Sequence, residues 1–274
     1  MQRATAETQR YFLRIDLFHR VVHGFLMASF LGLAATGLPI KFNQAAWASH
    51  LAHAVGGFGT VIFFHQTSAV ILTTCFLLHV GYVLRAALLK GQVEVLWGPD
   101  SMVPQPKDLV DMARHFAWFF GLGPKPRFDR FTYWEKFDYW AVFWGMAVIG
   151  TSGFMLWFSG FFARFIPGWL FNIALVIHSE EALLAVCFIF TIHFFNGHIR
   201  PDKFPMDLVI FTGRVSEHEL REERPLEYER VREGKRKLTE MDPPPLWLRN
   251  FGRLIGFTVI AIGFTLFGLT LWAQ

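Results

Sequence analysis

Long apolar runs, separated by charged stretches, dominate this chain of 274 residues. Five runs approach or exceed the roughly 20 residues that an α-helix needs to cross a hydrocarbon core about 30 Å thick. These runs are Val21–Ile40, Gly59–Leu84, Tyr139–Ser159, Leu170–Phe194 and Phe251–Ala273. The pattern predicts an all-α fold, an integral membrane helical bundle in which four spans form the core and a fifth transmembrane helix follows at the C-terminus.

The charged stretches divide the chain into three predicted parts. Residues 1–215 hold the first four spans, residues 216–246 form a charged segment, and residues 247–274 carry the fifth span. The charged segment has several prolines and no apolar stripe, so we expect it to be solvated. Asp108–Phe120 is amphipathic, and we expect it to lie in the membrane interface with its charges toward water.

Basic residues are concentrated in alternate connections between the spans. The N-terminal stretch holds 4, the second connection 8 and the fourth connection 12 of the 26 Lys and Arg residues, whereas Lys41 and Arg164 lie on the other side. Because cytoplasmic loops carry such an excess, we expect a cytoplasmic N-terminus and, after five spans, an outside C-terminus. The apolar content of 53% excludes an ordinary soluble domain, and the net charge of +4 indicates membrane-facing loops, with no nucleic-acid partner.

Two spans each carry a pair of histidines. His178 and His193 are fifteen residues apart, which places them on broadly one helix face about 22 Å apart along the axis. His65 and His79 are fourteen residues apart, or about 21 Å. Ionisable residues are costly in hydrocarbon and are functional candidates by default. Two pairs with nearly the same rise therefore indicate two metal-centred groups stacked across the membrane, whereas the pair His50 and His53 has no ligand spacing and is expected in a plain loop.

Imidazole pairs of this kind are typical ligands of haem b. At the outer level only His65 and His178 are available. At the inner level there are four candidates, His23, His79, His193 and His198. Imidazoles on both axial faces favour electron transfer over oxygen chemistry. Cys75 and Cys187 fall inside spans and no Cys-x-x-Cys-His occurs, so we expect neither disulfides nor covalently attached haem.

The stretch leading into the third span, Arg127–Trp140, alternates aromatic and charged residues. One interpretation is an aromatic belt with charges reaching toward water. The other is a quinone head-group pocket, which needs aromatic walls, hydrogen-bond donors and a carboxylate such as Glu135 or Asp138 for proton exchange.

These residues together give the sequence a resemblance to a known group, over roughly Arg10 to Arg214. The motifs are His23 followed by Thr36-Gly37, then His65, then Tyr-Trp-Glu-Lys at the start of the third span, and finally Leu175-Val-Ile-His178 with His193. The chain resembles the cytochrome b (gamma) subunits of respiratory formate dehydrogenases and, more distantly, those of membrane-bound hydrogenases.

The resemblance implies two bis-histidine haem b groups, with His65 and His178 for the outer haem and His23 and His193 for the inner one. It also implies a quinone, menaquinone or ubiquinone, near the inner haem, in positions that correspond to Thr132 and Glu135. Family members often have Asn and Gln there, so this chain departs from the pattern. The location would be a prokaryotic plasma membrane.

Several alternatives stay open. In a second arrangement, like the cytochrome b of quinol–cytochrome c oxidoreductases, His79 would face His193 instead of His23. A third haem could use two of His79, His198 and His23. Four arginines, Arg14, Arg20, Arg85 and Arg200, lie at the depth expected for inner-haem propionates, although the positive-inside bias explains them equally well.

The predicted function is that of an electron-transfer subunit in a quinone-linked membrane oxidoreductase. It would exchange electrons with a periplasmic redox partner, either a multihaem c-type cytochrome or an iron–sulfur protein. The chain has no nucleotide motif and no iron–sulfur cysteine set, so we expect no catalysis on a soluble substrate by this chain alone. The alternative is a haem-free membrane anchor, or a transporter whose histidines carry protons or metal ions.

Overall fold

The computed structural model describes residues 9–273. Helix accounts for 71% of the structure and strand for 3%, which confirms the predicted all-α fold. Five helical stretches are long and apolar enough to cross a membrane, which supports a multi-pass membrane protein: Leu17–Lys41, Phe58–Leu89, Tyr133–Trp157, Trp169–Ile199 and Leu246–Leu271.

The helices differ from the predicted spans mainly at their ends. In chain order they are α1 (Leu17–Lys41), α2 (Ala46–Ala54), α3 (Phe58–Leu84), α4 (Pro106–Phe119), α5 (Tyr133–Gly145), α6 (Thr151–Trp157), α7 (Ser159–Phe162), α8 (Trp169–Phe188), α9 (Val209–Thr212), α10 (Glu217–Glu223), α11 (Pro225–Arg232) and α12 (Leu246–Leu271). The prediction that His50 and His53 lie in a loop is wrong, because both residues lie on α2.

Short irregular helical turns extend or interrupt the spans. A π-helical turn at Arg85–Leu89 continues α3, another at Met146–Gly150 joins α5 to α6, and two at Ile189–His193 and Phe195–Ile199 continue α8. A 3₁₀ turn occupies Val93–Val95. π-helical turns inside a helix are frequent at functional sites. Two of the four turns here hold His193 and His198.

The chain forms two compact units. The first, called here the polar unit, combines residues 9–20 with Val80–Tyr139 and Leu208–Gly252. The second, the helical unit, combines Val21–His79, Trp140–Asp207 and residues 253–273. These units cut across the three parts predicted from the sequence, because the charged segment folds together with much earlier stretches of the chain.

A small antiparallel sheet organises part of the polar unit. Strand β1 (Tyr11–Leu13) lies between β2 (Arg214–Ser216) and β3 (Glu240–Met241), with Phe12 opposite both Val215 and Glu240. Phe12, Val215 and Leu220 form a buried apolar cluster. Leu220 is 1% exposed and Glu227 is fully buried, so the prediction of a solvated segment is wrong for this part of residues 216–246.

The helical unit is built on contacts among α1, α12 and the fourth span, which comprises α8 and its π-helical continuation. Its buried apolar cluster is contributed by these three spans and consists of Ala34, Leu38, Val186, Phe190, Phe194 and Leu266. A Cβ added at Gly263 of α12 would lie 2.6 Å from Phe194 Cε2 and 2.8 Å from Phe190 Cδ1. The fifth span therefore packs directly on the fourth, and glycine allows that close approach.

Helix α4 begins two residues before and ends one residue before the predicted Asp108–Phe120, and its orientation differs from the predicted one. Asp108 forms an ion pair with Lys136, whose Nζ lies 2.9 Å from Asp108 Oδ2. Asp111, which is 6% exposed, pairs with Lys107. Phe116 on another side of the helix is 54% exposed. The expectation that the helix turns its charges toward water is therefore wrong for these two carboxylates.

Candidate functional site

The second and fourth spans bring His65 and His178 side by side. His65 lies on α3 and His178 on α8, both in the helical unit. Their ring centres are 6.3 Å apart, and the ring planes are nearly perpendicular at 77°. The sequence placed these two residues at one level of the membrane, and in the structure they are neighbours.

The separation fits two imidazoles on opposite sides of one metal ion. A metal–imidazole nitrogen bond is about 2 Å long, and the ring centre lies roughly 1.2 Å behind the nitrogen, so two axial rings should have centres about 6.4 Å apart. A simple edge-to-face ring contact also falls within about 4.5–7 Å. What separates a ligand pair from a packing contact is the surroundings of the other nitrogen of each ring.

Both imidazoles have one nitrogen held by a neighbouring helix. His65 Nδ1 lies 3.0 Å from Thr36 Oγ1 on α1. His178 Nδ1 lies 3.0 Å from the Ile149 carbonyl oxygen, a contact in which the imidazole N–H donates, and 3.4 Å from Ser152 Oγ. Metal-binding histidines usually have their other nitrogen fixed in this way. In both residues Nε2 is left as the nitrogen that can bind a metal.

Glycines make room for both rings. A Cβ added at Gly37 would lie 3.2 Å from His65 Cε1, and one added at Gly153 would lie 2.7 Å from His178 Cε1. The second distance is shorter than real Cβ atoms show, so a larger residue at 153 requires the imidazole to move. The third span therefore approaches His178 at a position where only glycine fits without rearrangement.

A haem takes only its axial ligands from protein side chains. Within residues 9–273, no three or more His, Cys, Asp and Glu side chains form a group that could hold a metal ion by themselves. Two facing imidazoles are sufficient for a bis-histidine haem, which supplies the remaining ligands from the porphyrin. The residues at the outer pair fit such a group.

A second histidine group lies elsewhere in the helical unit. His23 on α1 interacts electrostatically with both His193 and His198, and His198 also interacts with His193. His198 Nδ1 is buried and has no hydrogen-bond partner among the described residues. The structure thus brings His23 near His193, as the formate-dehydrogenase-like pairing requires. The pairing itself, the competing role of His79 and a third haem stay predictions.

Thr132 and Glu135, the predicted quinone contacts, form the N-terminal cap of the third span. Glu135 Oε2 accepts hydrogen bonds from the Thr132 backbone N–H at 2.7 Å and from its hydroxyl at 2.8 Å, and the Glu135 N–H is 3.4 Å from Thr132 Oγ1. This is a capping box, which satisfies backbone donors at a helix start. In the structure both residues stabilise the start of the third span, and their role toward a quinone stays a prediction.

Arg224 completes the surroundings of Glu135. Its guanidinium donates to Glu135 Oε1 at 2.9 Å. Burial disfavours the charged guanidinium, but the carboxylates of Glu135, Glu223 and Glu227 together outweigh that effect and raise the pKa of Arg224. Both oxygens of Glu135 are therefore occupied within the polar unit, an arrangement that favours a fixed carboxylate over one that exchanges protons.

Arg20, predicted to bind a propionate or the quinone, has a local partner. One of its terminal nitrogens donates to the Phe211 carbonyl, and its side chain passes close to Gly213, where an added Cβ would lie 3.0 Å from Arg20 Cδ. Gly213 has a positive φ of 75°, so glycine is suited to that position. The Nε atom of Arg20 is buried without a partner among the described residues, so a donor is left for a ligand.

Comparison with models of known protein families and with curated protein sequences gave no match. The fold and the site therefore define the chain only as a multi-pass helical membrane protein with a facing intramembrane histidine pair. The resemblance to the cytochrome b subunits stays a prediction from the residues.

Sequence reasoning missed the residues that hold the outer rings. Ile149 acts through its backbone carbonyl, which no side-chain pattern can indicate. Thr36 was recognised only as part of a motif, and Ser152 was not recognised. The signal that could have found them is the placement of a hydroxyl residue one position before a glycine, as in Thr36-Gly37 and Ser152-Gly153, on spans next to a histidine span.

Proposed function

We propose that the chain is a dihaem b-type cytochrome subunit that passes electrons across a membrane between a redox partner on the outer face and the quinone pool. The observation that supports this most strongly is the pair His65 and His178, with ring centres 6.3 Å apart. Each ring has its Nδ1 bound to a neighbouring helix and its Nε2 available. A haem iron bound by two imidazoles supplies one-electron transfer without an open site for oxygen.

The residues around the outer pair fix the imidazoles before a metal is bound. Thr36 and the Ile149 carbonyl orient the two rings, so little ordering remains to be done on binding. Gly37 and Gly153 let the neighbouring spans come close to the same rings. The group His23, His193 and His198 is the candidate for the second haem, and two levels about 21 Å apart would divide the membrane into two shorter electron-transfer steps.

The partners belong to the same proposal. The outer partner would be a multihaem c-type cytochrome or an iron–sulfur protein, and the inner partner would be menaquinone or ubiquinone. The resemblance implies a quinone beside the start of the third span, where Thr132 and Glu135 lie. A prokaryotic plasma membrane with a cytoplasmic N-terminus and an outside C-terminus is the location that agrees with the distribution of basic residues.

The test is the spectrum and haem content of the purified protein. We expect the dithionite-reduced protein to show sharp low-spin b-type bands and two haems per chain. His65→Ala and His178→Ala should each remove the outer haem and lower the ratio to one, whereas the matched variant His50→Ala, at an exposed position on α2, should keep both. A protein without these bands, even when purified with added haem, would exclude this function and favour the anchor or transporter.

The inner ligands are tested in the same way. If His23 pairs with His193, then His23→Ala should lose one haem and His79→Ala should keep two. The reverse result would establish the second arrangement, in which His79 faces His193. Three haems in the unmodified protein would show that His198 or His79 serves a further site.

A further inference from the structure

We propose that one side of helix α4 is embedded in the membrane surface, with the lipid of the adjoining leaflet as its occupant. The side consists of Leu109, Met112, Phe116 and Phe119, which are between 37% and 66% exposed. These residues are spaced by three or four positions, so they share one face of the helix. They are called the α4 face below. The inference does not depend on the haem proposal.

Helix α4 has a reversed distribution of polarity. Its inward side holds Asp108 and Asp111, whose side chains are only 13% and 8% exposed, and His115. His115 packs on a ring of aromatic side chains, with Phe119 4.6 Å and Trp118 5.5 Å away. A helix in contact with water on its outer side normally buries apolar residues and exposes charged ones. The buried carboxylates beside an exposed apolar face indicate that the α4 face meets an apolar medium.

The contacts of α4 place it at the depth of a membrane surface. His115 Nδ1 is 3.1 Å from Tyr133 Oη, its ring is 5.3 Å from that of Trp134, and Asp108 is paired with Lys136. Tyr133 is the first residue of the third span, so all three contacts involve the first turn of a membrane-crossing helix. Because that turn lies where the chain enters the hydrocarbon, α4 is held at the same level.

Basic residues also lie on the exposed part of α4. Lys107 and Arg114 are exposed and seven residues apart, so they share one side of the helix, and the exposed Val110 lies between that side and the α4 face. Lys125, just beyond the helix, lies 5.6 Å from the centre of the Trp118 ring. Apolar residues flanked by Lys and Arg are the pattern of helices that lie in the interface and attract anionic headgroups. This combination favours lipid over a protein partner as the occupant.

The test measures what each side of α4 contacts in a bilayer. The full chain, with Cys75→Ser and Cys187→Ser, is placed in nanodiscs of phosphatidylcholine and phosphatidylglycerol. Spin labels are attached to single cysteines in the variants Leu109→Cys and Phe116→Cys. The matched control is Arg221→Cys, whose side chain is 58% exposed in the same polar unit. Collision rates with oxygen, which concentrates in lipid, and with a water-soluble nickel chelate are then compared.

We expect the labels at 109 and 116 to collide with oxygen more than with nickel, and the label at 221 to show the reverse. Equal nickel access at all three positions would overturn the proposal, because the α4 face would then contact water. Low access to both reagents at 109 and 116 would also overturn it, because the face would then be covered by a partner protein or a second copy. If one variant fails to fold, the other gives the same reading, and circular dichroism of each variant checks the fold.

Discussion

The substitution Gly153→Ala tests whether the third span holds the His178 imidazole in place. A Cβ at this position would lie 2.7 Å from His178 Cε1 and 3.1 Å from His178 Nδ1. Ordinary contacts of a Cβ are at 3.4–4 Å, so the ring has to move by at least 0.7 Å or the two spans have to separate. Either movement lengthens the 3.0 Å contact between His178 Nδ1 and the Ile149 carbonyl.

The expected cost follows from this crowding. Forcing one extra methyl group into a packed site costs about 1–3 kcal/mol, and losing the hydrogen bond adds roughly 0.5–1.5 kcal/mol. If the whole crowding penalty destabilises the His178 conformation that binds iron, haem affinity at the outer site drops by about 5- to 140-fold. The third span is affected at one point only, so the remaining structure should keep its helical content.

The assay compares Gly153→Ala with Gly145→Ala on the same span. At Gly145 the added Cβ would meet only Ile149 Cδ1, at an ordinary 3.9 Å. We expect Gly153→Ala to lower both the haem content and the thermal unfolding midpoint in detergent, and Gly145→Ala to change neither appreciably. If both variants retained haem and melted alike, the argument that Gly153 makes room for the imidazole would be refuted.

Three further predictions concern the polar unit. Thr132→Ala should destabilise the protein by about 0.5–2 kcal/mol because the cap of the third span is lost, whereas Thr132→Ser should change it little; equal unfolding midpoints for the two would contradict this. Burial raises the pKa of Asp100, but the hydrogen bonds from Arg230 and the charges of Arg236, Arg230 and Arg130 together outweigh it, and the pKa is lowered. The ion pair therefore stabilises the fold above about pH 4, and this stability is lost as the pH falls through the lowered pKa. Asp100→Asn should therefore reduce the loss of unfolding free energy between about pH 4 and lower pH. If the loss were the same in the variant, the ion pair would not be its cause. Glu227→Gln should cost about 3–5 kcal/mol because it leaves buried arginines unpaired. The exposed Glu229→Gln should cost less than about 1 kcal/mol in the same denaturant titration, and similar losses for both would be inconsistent with this account.

The spans were predictable because hydrocarbon imposes one simple requirement on the sequence. Each membrane-crossing helix must present about 20 mostly apolar residues, and this pattern is readable without knowledge of neighbours. The third span was predicted to start at Tyr139, six residues after Tyr133, where the helix begins. The difference arises because Glu135 and Lys136 lower the apolar character of its first turn, although the Thr-x-x-Glu pattern signals a helix start.

The polar unit was not predictable in the same way. Its buried side is largely ionic, and the partners are far apart in sequence. Arg14 pairs with Glu227 at 2.5 Å across 213 residues, and Arg230 pairs with Asp129 at 2.5 Å. Charged residues that neutralise each other in a folded interior have the same composition as a solvated loop, so pattern alone cannot separate the two.

The site was predictable in its main residues and not in its supports. His65 and His178 could be matched by depth, because rise along a helix depends only on residue number. The contacts that orient them involve backbone atoms and rotational positions of neighbouring helices, such as the carbonyl of Ile149. Those positions depend on how helices pack, which a single sequence does not contain.

The π-helical turn at Ile189–His193 changes how the fourth span should be counted. Such a turn takes up about one more residue than an α-helical turn. The fifteen residues from His178 to His193 therefore advance the helix about as far as fourteen α-helical residues would, the same interval that separates His65 from His79. Removing one residue from this turn, for example Thr191, would restore a regular helix and leave His193 and His198 directed toward the same neighbours, whereas the same deletion within the regular helix α8 would rotate both by about 100°.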